Sequence, residues 1–139
     1  MIDVTIPGRP QPKERPRFGK GVVRSGARTS AWEKGAALIL RNAAPPGPLT
    51  EPCRVVVDAY WLRPKRRPKH AWLPEWKLGV ALYRPSIPDA DNVLKAVLDA
   101  GNLAGIWTDD AIVVEATVRK WYAAKGEDAR VRVFVEPVR

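Results

Sequence analysis

The fold class is decided by residues 54–62, which read RVVVDAYWL. Three consecutive valines followed by two aromatic residues are typical of a buried β-strand, because β-branched and aromatic side chains fit a pleated, covered surface. Cys53 opens this apolar run, which favours a small core residue over a reactive thiol. A buried strand needs neighbours in its sheet, and the sequence on either side predicts them.

Three further strands are predicted outside this run. Residues 2–6 alternate apolar and polar side chains, which is the period of a half-buried strand. Residues 112–121 and 129–135 are also predicted to be strands. The turn-forming residues 123–128 lie between them and favour an antiparallel hairpin.

Two helices are predicted between the strands. Thr29 and Ser30 are suitable N-cap residues for a helix over residues 32–44, whose apolar side chains fall on one stripe. The prolines and glycine of residues 45–48 end that helix. A second helix is expected over residues 91–103.

The order β-α-β-α-β-β predicts an α/β (α+β) fold with one mixed β-sheet and two main helices. The length of 139 residues fits a single domain over residues 1–139. Residues 7–28 and 63–84 are rich in proline, lysine and arginine, which predicts two long basic connecting segments.

The charge balance favours a polyanionic partner. Lys and Arg number 24 against 15 Asp and Glu, a net charge of +9. Nucleic acid is the expected partner, and a basic protein without such a role is the plainer alternative. One Cys and one His exclude an intrachain disulfide and a four-ligand zinc finger. Neither a signal peptide nor a membrane span is recognisable, so we expect a cytoplasmic protein.

Five aspartates stand between positions 89 and 110 of this basic chain. Hydrolysis of a phosphodiester by a metal ion needs oxygen ligands such as carboxylates, which Mg²⁺ and Mn²⁺ prefer. The candidate ligands are Asp89, Asp91 and Asp110. The second helix advances about 18 Å, and the following residues span at most about 23 Å, so Asp110 just reaches the Asp89 end within one chain. A site shared between two chains satisfies the sequence equally.

Each candidate has a structural alternative. Asp89 and Asp91 suit the N-terminus of a helix as capping residues, and Asp109 with Asp110 suits a turn before a strand. Lys95 lies one helical turn after Asp91, where it either stabilises charge on a phosphate or pairs with Asp91.

Two neighbouring residues are given structural roles. Asp99 stands four residues after Lys95 and is interpreted as a structural residue rather than a metal ligand. Trp107 precedes the aspartate pair and is interpreted as an apolar anchor that positions it.

Two basic segments supply candidate DNA contacts. Lys13, Arg15 and Arg17 alternate on a proline-stiffened segment that either binds phosphates or is a solvated loop. The densest positive run adds five candidates for the backbone of a DNA arm: Arg63, Lys65, Arg66, Arg67 and Lys69. Trp72 and Trp76 either stack on unpaired bases or belong to the core or an interface.

Two motifs resemble the RusA family of Holliday junction resolvases, the crossover junction endodeoxyribonucleases. The first is PGRPQPKERPR at residues 7–17, after the first strand. The second is PDADNVLKAVLDA at residues 88–100, followed by WTDDAIV at residues 107–113. The chain departs from the family pattern at Ser86 and Ile87, where many members carry a basic residue.

The resemblance implies a Mg²⁺-dependent homodimer, with Mn²⁺ as a substitute, that nicks four-way DNA junctions in recombination and repair. It places the metal-binding carboxylates on Asp89, Asp91 and Asp110 and an essential lysine on Lys95, in a bacterial or phage-infected cell. A two-fold dimer also suits a two-fold symmetric junction, because it supplies two related sites. A non-catalytic DNA-binding module and a metal-dependent nucleotide hydrolase are the alternatives.

Overall fold

The computed structural model describes residues 1–13, 17–19, 22–24 and 27–138, with side chains described for residues 1–13 and 28–138. A 3-10 turn, Asp110–Ile112, precedes the sixth strand. The helices and strands, in chain order, are β1 (Ile2–Pro7), β2 (Arg17–Gly19), β3 (Val22–Arg24), α1 (Ala27–Ala43), β4 (Cys53–Trp61), α2 (Leu73–Leu78), β5 (Leu82–Tyr83), α3 (Ala90–Ala104), β6 (Val113–Tyr122) and β7 (Arg130–Pro137).

The main sheet is mixed and has β4 at its centre. Its five strands are ordered β1-β7-β4-β6-β5, and β4 pairs antiparallel with β7 and parallel with β6. Val55, Val57 and Ala59 of β4 are fully buried. The predicted mixed sheet and the α/β (α+β) class are therefore confirmed, and Cys53 is a buried core residue as predicted.

The predicted hairpin between the last two strands is wrong, because β4 lies between β6 and β7. Residues 123–128 do reverse the chain, and Glu127 N donates to Ala124 O at 3.0 Å. The connection passes the end of β4, where Ala123 N donates to Trp61 O at 2.7 Å. Turn residues indicate that the chain reverses, but they do not determine which strand the next strand pairs with. Because β4 is buried, its backbone groups need a hydrogen-bonded strand on each side.

The two long helices cover one face of the sheet. The predicted stripe of α1 is confirmed, since Ala36 and Leu40 are buried and Trp32 and Ile39 pack against the same core. α1 begins at Ala27, earlier than predicted. Thr29 is thus a buried residue of the first turn, whose hydroxyl donates to Pro12 O at 3.3 Å, and not the N-cap.

The two basic segments contain more regular structure than predicted. Within residues 7–28, β2 and β3 form an antiparallel two-stranded sheet. Within residues 63–84, α2 ends at Gly79, whose positive φ of 72° suits glycine, and β5 joins the edge of the main sheet. These elements are too short to show a clear period in the sequence.

Burial raises the pKa of the Cys53 thiol, as expected for a core cysteine. Across the described ranges, no helix is long and apolar enough to cross a membrane.

Candidate active site

Asp89 and Asp91 lie at the start of α3 with exposed carboxylates. Asp89 occupies the N-cap position, but its side chain makes no capping hydrogen bond, and its backbone carbonyl instead accepts from Asn92 N and Val93 N. Neither carboxylate has a hydrogen bond or ion pair with any residue that the structure describes. The side-chain capping interpretation of Asp89 is therefore wrong, and both groups are open to a ligand.

The loop before Asp89 is held from β6. The Lys120 ammonium donates to Ser86 O and Pro88 O, each at 2.7 Å. The Arg84 guanidinium donates to Ile87 O in the same loop. These bonds fix the backbone from which Asp89 projects.

Lys95 belongs to a small ion-pair network. Its ammonium pairs with Asp99 at 2.9 Å, and Lys13 pairs with the other oxygen of Asp99 at 2.9 Å and with Glu33 at 2.8 Å. Partial burial opposes ionisation of Asp99, but hydrogen bonds from Lys13 and Lys95 outweigh it and lower its pKa. The structural role predicted for Asp99 is confirmed, and the alternative Asp91–Lys95 pair is not formed.

Asp110 lies at the other end of α3. The side-chain amide of Asn102 donates to Asp110 Oδ2 at 3.1 Å, and the Trp107 indole donates to Asn102 Oδ1 at 2.6 Å. Trp107 is buried against Gly101. Its predicted role as an anchor is confirmed for Asp110, which it orients through Asn102. Asp109 accepts from Ala111 N at 2.9 Å and caps the 3-10 turn, so the turn interpretation holds for this residue.

One chain does not bring Asp110 to Asp89 and Asp91. Asn102 follows Asp89 by thirteen helical positions, which is about 20 Å of helix. Along β6, Lys120 contacts the Asp89 loop, whereas Asp110 precedes the strand, about 20–25 Å away. No group of three or more His, Cys, Asp or Glu side chains within the described ranges is placed to hold a metal ion. The three aspartates therefore do not meet within the described part of one chain, and the single-chain arrangement is wrong.

The sequence matches the family described as Endodeoxyribonuclease RusA over residues 7–136. The chain belongs to the RusA endodeoxyribonuclease family. It is 33% identical over 142 residues to the "Uncharacterized protein YqaN" of Bacillus subtilis (strain 168), covering 99% of this chain and 96% of that protein. It is 28% identical over 123 residues to the "Crossover junction endodeoxyribonuclease RusA" of Escherichia coli (strain K12), covering 88% and 85% respectively. The protein of the same name from Shigella sonnei (strain Ss046) gives the same identity and coverage.

The basic residues predicted to contact DNA in this RusA-family chain fall into two groups. Arg63 covers the ring of Trp76 at 3.6 Å and donates to the Trp76 carbonyl, while Arg67 donates to Ala71 O at 2.8 Å. Lys13 is held by two carboxylates. The residues that are exposed and make neither a hydrogen bond nor an ion pair with any described residue are Lys65, Arg66 and Lys69. Arg15 lies outside the described residues, as does the side chain of Arg17.

The tryptophans of the second basic segment differ in exposure. Trp76 is partly buried beneath Arg63 and packs beside Ala71, Leu82 and Tyr122, which places it with the core alternative. Trp72 is 66% exposed. Only Trp72 offers an uncovered ring face to a base.

Sequence reasoning missed three arginines beside the aspartates. Arg9, Arg28 and Arg84 line a cavity of about 440 Å³ that reaches Ile87 and Pro88, directly before Asp89. These arginines stand far apart in the sequence and share no motif, so only the fold brings them together. Arg9 lies in the motif at residues 7–17, whereas for Arg28 and Arg84 an excess of positive charge was the one available signal, and it does not name positions.

Proposed function

We propose that this chain is a structure-selective endodeoxyribonuclease that cuts four-way (Holliday) DNA junctions in recombination and repair. The observation that carries the proposal is the pair Asp89 and Asp91, two exposed carboxylates without partners among the described residues, in a RusA-family chain of net charge +9. Unpaired carboxylates repel the phosphates of DNA and so weaken DNA binding to a basic surface. A bound cation removes this repulsion. We place the activity in the cytoplasm of a bacterial or phage-infected cell.

The donor set suits Mg²⁺, with Mn²⁺ as a substitute. Asp89 and Asp91 offer uncommitted oxygens, and Asp110 accepts from Asn102 through only one of its two oxygens. Mg²⁺ commonly binds through one or two carboxylates together with water and substrate phosphates. When bound, the metal polarises a phosphoryl oxygen and lowers the pKa of an attacking water.

Lys95 acts on the phosphate from the same face of α3. It lies one turn after Asp91, and its side chain is 56% exposed although it pairs with Asp99. Asp99 holds the ammonium in place, so a phosphate that enters the site meets a cation already oriented. The proposed role is to stabilise the negative charge that increases on the scissile phosphate during cleavage.

A two-fold dimer completes the site in this proposal. Asp110 lies about 20 Å from Asp89 along α3. Two antiparallel copies of α3 would place Asp110 of each copy beside Asp89 and Asp91 of the other. Such a dimer has two equal sites, as symmetric incision of two strands requires.

The direct test uses a labelled synthetic four-way junction and a linear duplex of the same sequence, each with and without Mg²⁺. We expect junction cutting only with Mg²⁺, and loss of cutting but retained binding in Asp91→Asn. Tight junction binding without cutting by the unchanged chain would overturn the nuclease proposal in favour of a DNA-binding module. Turnover of free nucleoside triphosphates would favour a nucleotide hydrolase.

Mixing two inactive variants tests the shared site. Asp91→Asn and Asp110→Asn are each expected to be inactive alone. After denaturation and joint refolding, about a quarter of the sites regain all three aspartates if the chains pair randomly in a two-fold dimer. If each site lies within one chain, the mixture stays inactive. Recovery is scored as nicking of single strands, because each mixed dimer has one intact site.

A further inference from the structure

A cationic pocket opens next to the candidate site. We call it the arginine pocket and define it by Arg9, Arg28 and Arg84. Its walls also include Trp61, Pro12 and Pro88, and its volume is about 440 Å³. A second cavity of about 320 Å³ shares Arg9, Trp61 and Arg84 with it. The two cavities are therefore neighbours, and the first is lined by Pro88, the residue before Asp89.

No carboxylate among the described residues pairs with any of the three guanidinium groups. Arg9 and Arg28 make no hydrogen bond or ion pair with any described residue, and Arg84 donates only to the Ile87 carbonyl. None of the described residues lining the cavity is acidic. By contrast, four arginines elsewhere each pair with a carboxylate: Arg54, Arg119, Arg130 and Arg132.

Electrostatic repulsion within the pocket favours an anionic ligand. Burial lowers the pKa of Arg84, and the nearby positive charge of Arg9 lowers it further, against an opposing effect of Tyr122. Arg84 stays in place because it stacks over Trp61 at 4.4 Å and its backbone N donates to Lys120 O at 2.9 Å. A phosphate that enters would relieve this repulsion.

The walls of the pocket are fixed before any ligand arrives. Gly8 N donates to Ala129 O and Lys13 N donates to Asn92 O, each at 3.1 Å. The Thr29 hydroxyl ties Pro12 to α1. Prolines add stiffness on both sides, and a prearranged pocket loses less conformational entropy on binding.

We propose that the arginine pocket binds a backbone phosphate of the DNA strand whose neighbouring phosphate lies at Asp89 and Asp91. This inference rests on the proposed function and extends it to how the strand is held. Planar guanidinium groups bind phosphate oxygens through paired hydrogen bonds, and the apolar walls suit the sugar. Because the interaction is with the backbone, it is independent of base sequence.

The test measures junction affinity against salt concentration without divalent cation, so that cutting does not occur. The variant is Arg9→Gln with Arg28→Gln, which spares Arg84 because that side chain packs on Trp61. We expect the glutamine variant to bind the junction at least tenfold more weakly near 0.1 M salt. The slope of log binding constant against log salt concentration should be smaller in magnitude by about 0.7–0.9 for each phosphate that the protein no longer neutralises. Arg9→Lys with Arg28→Lys should recover most of the slope, since it keeps the charge.

Arg132→Gln combined with Arg54→Gln is the matched control, because it removes the same charge from arginines that pair with carboxylates outside the pocket. Equal affinity and slope in the glutamine variant and this control overturn the pocket. Absence of DNA binding by the unchanged chain overturns it as well.

If the unchanged chain cuts junctions while both double variants behave alike, only the pocket fails. If the unchanged chain binds but never cuts, and the slope still falls, only the nuclease proposal fails.

Discussion

The side-chain amide of Asn102 donates a hydrogen bond to Oδ2 of Asp110 at 3.1 Å. The orientation of this amide is determined by the core. The indole of Trp107 is a donor only, so Asn102 must turn its oxygen toward Trp107 and its NH₂ group toward Asp110. A buried tryptophan thus sets the direction of a candidate metal ligand through one exposed asparagine.

Replacing Asn102 by alanine should weaken metal binding as well as lower the stability of the fold. The change removes the bond that orients Asp110, and removal of such an outer hydrogen bond typically lowers metal affinity about 10–100-fold. The free energy of unfolding should also fall, by about 1–3 kcal/mol, because the change leaves the indole N–H of the buried Trp107 without its acceptor. The measurement is the Mg²⁺ concentration that gives half-maximal junction cutting. Asn42→Ala, at an exposed position of α1, is the control. An unchanged Mg²⁺ requirement in Asn102→Ala would contradict the positioning role.

Two glycines within helices should respond oppositely to alanine. A Cβ on Gly101 would lie 2.5 Å from Cζ2 of the buried Trp107, whereas a Cβ on Gly35 of α1 meets nothing within 4 Å. Gly101→Ala should therefore destabilise the fold by about 1–3 kcal/mol through overpacking. Gly35→Ala should stabilise it by about 0.5–1 kcal/mol, because alanine favours the helix. Urea unfolding measures both, and equal stability of the two variants would refute this account of the Gly101–Trp107 contact.

Stability should decline at acid pH through Asp58. Hydrogen bonds from Arg119 are the main cause of its lowered pKa, against partial burial, and the Trp121 indole contributes in the same direction. Since the pKa is lower in the folded state, the stabilisation is complete above the unfolded value of about 3.9 and is lost as pH falls through the folded value.

The variant Asp58→Asn tests this linkage. We expect it to cost about 1.5–3 kcal/mol at neutral pH, because a charged hydrogen-bond acceptor is removed, and to flatten the acid decline. Urea unfolding from pH 7 to pH 3 provides the comparison. Asp128→Asn, at an exposed position, should keep the original profile. An equally steep acid decline in Asp58→Asn would assign the effect to other carboxylates such as Asp99.

The sequence predicted those features that depend on neighbouring residues along the chain. The valines of β4, the stripe of α1 and the aspartates at the start of α3 each form a local pattern, and each was recognised from the sequence. The position of β4 between β6 and β7 depends on which strands pair with it in the folded sheet. No local sequence pattern encodes that pairing. The same limit applies to Arg9 and Arg84, which meet only after folding. It applies also to Asp110, whose distance from Asp89 depends on the direction of the chain after α3.

Trp72 and Trp76 should separate DNA binding from folding. Because Trp72 is exposed, Trp72→Ala should change the free energy of unfolding by less than about 0.5 kcal/mol. If the ring stacks on an unpaired base, the same change should weaken junction binding by about 1–3 kcal/mol. Trp76 lies beneath Arg63 and beside Tyr122, so Trp76→Ala should lower the unfolding temperature instead. Junction affinity and thermal unfolding are measured on both variants, with Trp72→Phe as the control that keeps an aromatic face. Equal junction affinity of Trp72→Ala and the unchanged chain would show that no base stacks on Trp72, because an exposed ring has little else to contribute.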